Sequence, residues 1–505
     1  MYGYVSRTKN KRGLYKIYTG DLLKSYRSDR YKMKKRFEVK LIFEFCTDGV
    51  VDEKICGVVG IRGTGKTIAL LHTIDKLNDY DNTVYIEIKE NVTIERLISI
   101  IESYRGFKYV FINGISRVTG FMEKAHFISS RYASSGIKIV ISGTDSYAIQ
   151  NTLYDALCHR IHLVRMGYIS FEEQNMLEDM YIDDYIKYGG LLDKSLRQMN
   201  NSKTLLEKLV IEDIVNSIIR NREYYKKRGL IPLKYLNPNT DILRVSVRTT
   251  IFYVYYMIIT RNLQGIQHLR LQNYKKFDKS NFEFERDFLD YMEIHESIDG
   301  ELLRFITETL LDLGLIKKVC RYKKMGEYRY YITTPAIAYR LYCDLVQFKE
   351  VKGVETKIVD NMFEATVMCE LLNMTDKVWY YAESEDVCEN RGLNTICALL
   401  NNDKFVIIES VSDENFDFDK WKQNFKPFTA FPEKSIGAII VVFRENFEGF
   451  ANAEKVMIKS DDTTSESGTN EVHFVHFNKL KNKLREIYEN NMADEPDILS
   501  VEWDI

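Results

Sequence analysis

Gly60-Ile61-Arg62-Gly63-Thr64-Gly65-Lys66-Thr67 satisfies the pattern G-x-x-x-x-G-K-[ST] at every fixed position. The flanks give the match its meaning. An apolar run, Ile55–Val59, leads in as a strand, and a stretch with Leu70, Leu71, Ile74 and Leu77 on one helical face leads out. Glycines let the backbone wrap an anion with its N–H groups pointing inward, and the start of a helix adds positive partial charge. Such a loop is suited to the phosphates of a nucleoside triphosphate, here expected to be ATP with Mg²⁺. The expected contacts are Gly60, Arg62, Gly63, Thr64, Gly65, Lys66 and Thr67. Lys66 would reach the β- and γ-phosphates, and the Thr67 hydroxyl would ligate Mg²⁺. The plain alternative, a glycine-rich loop of chance composition, does not account for the strand and helix on either side.

Outward from the loop, short apolar runs alternate with helical periodicity. Ile55–Gly60, Val84–Ile88, Tyr109–Ile112, Lys138–Ser142 and Ile161–Val164 read as strands, with helices starting near Lys66, Val92, Arg117 and Asp145. Val84-Tyr85-Ile86 and Ile139-Val140-Ile141 are apolar on both faces, as suits strands covered on both sides. The expected fold is α/β, a three-layer parallel sheet. Hydrolysis in such a site calls for an acidic pair after a further buried strand, an Asp for the metal shell and a Glu to activate water. That strand is Tyr109-Val110-Phe111-Ile112, and Asn113-Gly114 follows it. Asn-Gly is also the strongest short hairpin signal, so an antiparallel turn stands as an alternative.

Taken in order, several segments resemble bacterial and archaeal AAA-type ATPases that carry a winged helix and a restriction-endonuclease-like C-terminal domain. These are Gly60–Thr67, the strand at 109–112, Ile141-Ser142-Gly143-Thr144-Asp145-Ser146, Leu153-Tyr154-Asp155 through Arg160, Phe171-Glu172-Glu173, and Tyr185-Ile186-Lys187-Tyr188-Gly189-Gly190. The likeness covers nearly the whole chain beyond residue 45 and is strongest to about 190. It implies that Thr144 or Asp145 senses the γ-phosphate and that Arg160 is the family's arginine after the fourth helix. By its residues alone Asp145 reads equally as a helix N-cap. The family usually has Asp-Glu where Asn113 and Gly114 stand, so hydrolysis is expected to be slow or absent.

Five regions are expected: a basic extension (1–45), the P-loop domain (46–170), a helical lid (171–265), a winged helix (266–350) and a degenerate nuclease-like domain (351–505). The winged helix is read from Leu302–Leu313, Gly314, and a hairpin of Leu315–Val319 and Tyr328–Ile332. Lys317, Lys318, Arg321, Lys323, Lys324 and Arg329 are interleaved there with Tyr322, Tyr328, Tyr330 and Tyr331, a pattern that suits DNA phosphates with stacking. The alternative is a solvated hairpin whose alternate tyrosines face a core. In the C-terminal region Met362–Leu372 reads as a helix, and Val378–Tyr381, Phe405–Ser410 and Ala438–Phe443 as strands. By resemblance to the nucleases Glu364 would ligate metal, but Asn394 stands for an Asp and Glu409-Ser410-Val411 for Glu-x-Lys; by their residues alone Glu364 and Glu409 read as solvated acids at element ends. Nuclease activity is therefore not expected, and a protein partner is the expected use of this domain.

Composition excludes more than it selects. The 505 residues are 45% hydrophobic and 29% charged, with 71 Lys and Arg against 73 Asp and Glu. Thirteen basic residues between Arg7 and Lys40 face only Asp21, Asp29 and Glu38. They could meet nucleic acid or the acidic C-terminal part of the same chain. Eight cysteines without a CxxC pair suit reduced thiols better than a disulfide frame or zinc site. His473 and His476 look like a metal pair, but three residues apart in a strand they point to opposite faces. With no run of 18 apolar residues and no signal-like start, the expectation is a cytoplasmic protein without membrane contact. The sequence thus points to a nucleotide-dependent switch. An active ATPase working on DNA or a protein partner, with Glu87 or Asp145 as substitute acid, and a non-enzymatic scaffold are the alternatives.

Overall fold

The computed structural model describes residues 13–28, 35–47, 55–132, 136–144, 149, 161–237, 240–263, 298–322, 328–347, 354–375, 377–381, 395–399, 405–411, 436–444, 455–459 and 469–490. Asp145, Arg160, Lys323, Lys324 and Asn394 fall outside the described residues.

The first sheet contains β1 (Tyr15–Thr19), β2 (Ile55–Val59), β3 (Thr83–Ile88), β5 (Tyr109–Asn113), β7 (Lys138–Gly143) and β8 (Ile161–Arg165). Two short strands, β4 (Val92–Thr93) and β6 (Val118–Thr119), pair with each other separately. The sheet order is β1-β3-β5-β7-β2-β8. Every pairing from β3 to β8 is parallel, and β1 closes the β3 edge antiparallel. The five expected strands are all present and parallel. Asn113-Gly114 is no hairpin turn, since β5 runs parallel to both its neighbours.

Side-chain alternation sends Val84, Ile86, Val110, Ile112, Ile139 and Ile141 to one face, packed by the helices Ile94–Ser103 and Phe121–Arg131. Tyr85, Phe111, Val140 and Val58 go to the other, against the helices Val39–Thr47 and Lys66–Leu77. Both faces are covered, so the strand centres are apolar on both sides, as suits a parallel sheet, and the polar residues sit mostly toward the strand ends. Because β2 sits between β7 and β8 while the chain next passes to β3, connections diverge at the carboxyl end of β2. That is the switch point where open α/β sheets form a crevice. The described residues before 46 belong to this body: β1 is its edge strand, and Leu23, Val39, Ile42 and Phe45 enter its core.

The segment from Phe171 to Leu263 is helical, with a π turn (Glu207–Ile211) joining the helices Ser202–Leu206 and Glu212–Arg220. Thr240–Ile259, long and apolar enough to cross a membrane by composition, is 67% buried inside the protein. The helix Gly300–Asp312 and the hairpin β9 (Ile316–Arg321) and β10 (Tyr328–Ile332) follow as expected. The hairpin continues into an eight-stranded sheet with β11 (Val378–Tyr381), β12 (Thr395–Leu399), β13 (Phe405–Val411), β14 (Ile436–Phe443), β15 (Lys455–Lys459) and β16 (Thr469–His476). Its order is β10-β9-β11-β12-β13-β14-β16-β15, with β9 pairing β11 in parallel.

This shared sheet changes the surroundings of the hairpin's cations. Arg321 and Arg329 are each 5% exposed, and Arg329 donates to Glu364 Oε1 at 3.1 Å. Tyr331 Oη donates to the same oxygen at 3.0 Å. Glu364 and Glu409 are therefore not solvated acids at element ends: both are buried, and Glu364 neutralises a buried arginine. It lies on the helix Val354–Met374, which packs on the Val406 and Ile408 face of the sheet, whereas Glu409 shares the opposite face with Ile407 and Val411. The sheet separates the two carboxylates that a nuclease centre would need together. Among the described residues no cluster of three or more His, Cys, Asp or Glu side chains is placed to hold a metal.

Removing one partner of a buried ion pair leaves an uncompensated charge. Glu364→Ala should cost about 3 kcal/mol or more, while the apolar pair Arg329→Met with Glu364→Leu should cost far less. Thermal unfolding reads the difference, and a Glu364→Ala protein as stable as wild type would contradict the assignment.

Candidate nucleotide-binding site

β2 delivers the loop because its five residues, Ile55 to Val59, are all buried, so the chain emerges at the sheet edge without slack. Gly65 has φ +88°, and a Cβ there would lie 2.6 Å from Leu192 Cδ1, so any side chain would strain the turn into the helix. Thr64, wholly buried, ties the loop to itself through Oγ1 donating to Ile61 O at 3.0 Å. Leu192 N donates to Gly63 O at 2.9 Å, bringing the segment after Gly190 down onto the loop.

Lys66 folds back into the loop. Its Nζ donates to Gly60 O at 2.7 Å and Ile61 O at 2.6 Å, and the residue is 8% exposed. Burial pushes its ammonium down to about 7. Asp213 opposes that fall, and Arg62 and Arg36 add to it. Arg62 turns outward to Asp213 Oδ1 at 3.0 Å and Glu212 Oε2 at 3.7 Å.

Arg36 has no counterpart in the sequence reading. Its guanidinium is buried, donates to Thr64 O, and pairs with Glu173 at 2.5 Å and Glu38 at 2.8 Å. Only its place in a basic run marked it, and that run read as an extension that could meet nucleic acid or the acidic C-terminal part of the chain.

Thr67, Asn113 and Ser142 meet at the carboxyl edge. Asn113 Nδ2 donates to Thr67 Oγ1 at 3.1 Å and to Tyr85 Oη at 3.0 Å, and Ser142 Oγ donates to Asn113 Oδ1 at 2.8 Å. Thr144 lies at the end of β7 with its N–H on Ser116 Oγ at 2.9 Å. The neutral amide of Asn113 and the Thr67 hydroxyl are thus brought together. Gly114 has φ +89°, and a Cβ there would sit 2.8 Å from Ile88 O. Position 114 is closed to a glutamate by backbone geometry.

The residues present suit a polyphosphate: a glycine turn, the amides of a helix start, one buried ammonium and one arginine. They do not form a cation cage. Mg²⁺ would meet one protein oxygen, Thr67 Oγ1, and would take its remaining ligands from phosphate and water, which is its habit in such sites.

Residues 52–175 match a family model described as an AAA domain. No curated protein matches the chain. Among solved structures, the Walker-type ATPase PABY2304 of Pyrococcus abyssi is 12% identical over 61% of this chain and 96% of that one, with a TM-score of 0.30. The Aeropyrum pernix ORC1 protein in complex with DNA is 11% identical, covering 64% and 92%, with a TM-score of 0.22. The Thermotoga maritima RuvB Holliday junction branch migration motor is 16% identical, covering 63% and 93%, with a TM-score of 0.22.

Two expectations follow. Gly114→Glu should destabilise the protein by at least about 1 kcal/mol, read in urea unfolding, because a side chain is forced to positive φ against a carbonyl. The second concerns pH. With its pKa near 7, Lys66 is charged below that value and neutral above it. Phosphate requires the charged form, so affinity should be flat below pH 7 and fall by up to about tenfold per pH unit above it. Calorimetry at pH 8 should register proton uptake on binding. A pH-independent affinity between 7 and 9 would contradict this role for Lys66.

Proposed function

We propose that the chain binds ATP with Mg²⁺ at Gly60–Thr67 and uses it as a conformational switch, with hydrolysis slow or absent. The observation that carries this reading is the meeting of Lys66, Thr67 and Asn113 at the carboxyl edge of a parallel sheet. Lys66 supplies the positive charge, and the amides that follow Gly63 wrap the phosphates. Thr67 offers one oxygen to the metal, and Arg62 extends positive charge outward. Bound Mg²⁺ would neutralise phosphate charge and orient the terminal phosphate. Asn113 holds Thr67 in place without adding charge, and with glycine at 114 no carboxylate from β5 polarises water. Such general-base help is typically worth about 10²–10⁴ in rate.

In this reading residues 46–170 are the nucleotide domain and 171–265 its lid, while 266–350 and 351–505 act together because their strands share a sheet. The helix Val354–Met374, the antiparallel run β11-β12-β13 and parallel β14 support a restriction-endonuclease-like arrangement kept for contacts with a protein partner. DNA contact through the hairpin is the weaker proposal. Arg321 and Arg329 are buried, and Lys318 lies over the Tyr328 ring at 3.9 Å.

One observation favours a second reading, a working ATPase. Glu87, one residue before the end of β3, stands directly opposite Asn113 in parallel register, on the same face. Its Oε2 is buried without a hydrogen bond, 3.7 Å from Lys89 Nζ.

Turnover separates the two. The switch reading expects fresh protein to hydrolyse ATP well below about 1 s⁻¹. Lys66→Ala should weaken ATP binding at least about tenfold. Asn113→Asp should fold normally, because the hydroxyls of Thr67, Tyr85 and Ser142 can all turn to donate. It should sharpen the Mg²⁺ dependence of binding more than it raises the rate. Turnover at or above about 1 s⁻¹, lost in both Lys66→Ala and Glu87→Gln, would replace the switch with the ATPase.

A further inference from the structure

The helix Glu212–Arg220 spans both halves of the candidate site. At its start Asp213 accepts from Arg62 at 3.0 Å, with Glu212 3.7 Å from the same guanidinium. At its end Arg220 donates to Ser116 O at 2.8 Å, in the turn after Asn113-Gly114. Asp213 is also the strongest single charge acting on Lys66. Its second oxygen is buried without a hydrogen bond. With Ile61, Thr144 and Ser217 the residue lines a cavity of about 20 Å³ beside the loop, space for roughly one water. The π turn Glu207–Ile211 immediately precedes Glu212, and such turns mark places where a helix changes register, often at functional sites.

We propose that Asp213 is a built-in competitor for the nucleotide's phosphates, so that the helix Glu212–Arg220 must withdraw from the loop when a triphosphate binds. A carboxylate held on Arg62 and facing Lys66 occupies the cations that phosphate needs. Like charges cannot share them without repulsion. Nucleotide therefore enters by displacing Asp213, and the helix moves about the π turn, releasing Arg220 from Ser116. This supplies the moving part of the switch and rests on the nucleotide-binding reading.

Asp213→Asn keeps the shape and removes the charge. Asp213 also supports the charge on Lys66, so the comparison belongs at pH 6, below the Lys66 value of about 7; there ATP affinity with Mg²⁺ should rise about five- to fiftyfold, within the usual range of couplings between sites. Glu212→Gln, at the more exposed and more distant partner, should raise it less. Hydrogen exchange on the wild type provides a measurement without mutation. ATP should deprotect the amides of 212–220, and the Lys66→Ala protein should show no such change. Unchanged or weaker ATP binding by Asp213→Asn, or undiminished protection of 212–220 in ATP-saturated wild type, would overturn the competitor role while leaving nucleotide binding intact. Absence of ATP binding by the wild type would overturn both.

Discussion

Lys66, Arg62 and Arg36 bring positive charge to a single loop of backbone. Like charges drawn out of water repel by kilocalories unless each is answered. Here each is answered differently. Lys66 takes two carbonyls of its own loop and loses much of its basicity to burial. Arg62 takes acids from the helix Glu212–Arg220, and Arg36 takes Glu173 and Glu38. The loop is thus charged in readiness for an anion and held meanwhile by groups from three parts of the chain.

Those counter-charges also connect the loop to the rest of the molecule. Glu173 lies in the first turn of the helix Phe171–Glu178, whose opening N–H donates to Glu370 Oε1 at 2.7 Å. Glu370, on the helix Val354–Met374, is pushed up to about 7 by burial, and the Phe171 N–H opposes the rise. Neighbouring Glu172 pairs with Lys481 near the C-terminal end of the chain. One short helix therefore touches the phosphate loop through Arg36 and the C-terminal sheet's helices through Glu370 and Lys481.

Much of the first sheet was legible because burial on both faces leaves a plain signature in the sequence. β2, β3, β5, β7 and β8 are short apolar runs, and Lys66 to Leu77 carries a clear helical stripe. β1 was missed because Tyr-Lys-Ile-Tyr-Thr at 15–19 is an edge strand buried on little more than one residue, set in a basic run. Arg36 and Asp213 were missed for a different reason. Their importance comes from partners 28 and 151 residues away, and nothing local distinguishes them from surface charges. Asn113 is neutral by residue type, which the sequence shows directly, but its bonds to Thr67, Tyr85 and Ser142 depend on strand order. The basic hairpin shows the converse: its arginines looked exposed, and a neighbouring strand and Glu364 bury them.

The central claim is that this loop holds phosphate by exchanging its internal partners for a nucleotide. A crystal structure with Mg²⁺ and a non-hydrolysable ATP analogue tests it most directly. The account predicts phosphate oxygens on the amides of 63–67, Lys66 Nζ moved from the Gly60 and Ile61 carbonyls to phosphate, and Mg²⁺ on Thr67 Oγ1. A nucleotide bound elsewhere, with Lys66 still on those two carbonyls, would contradict it.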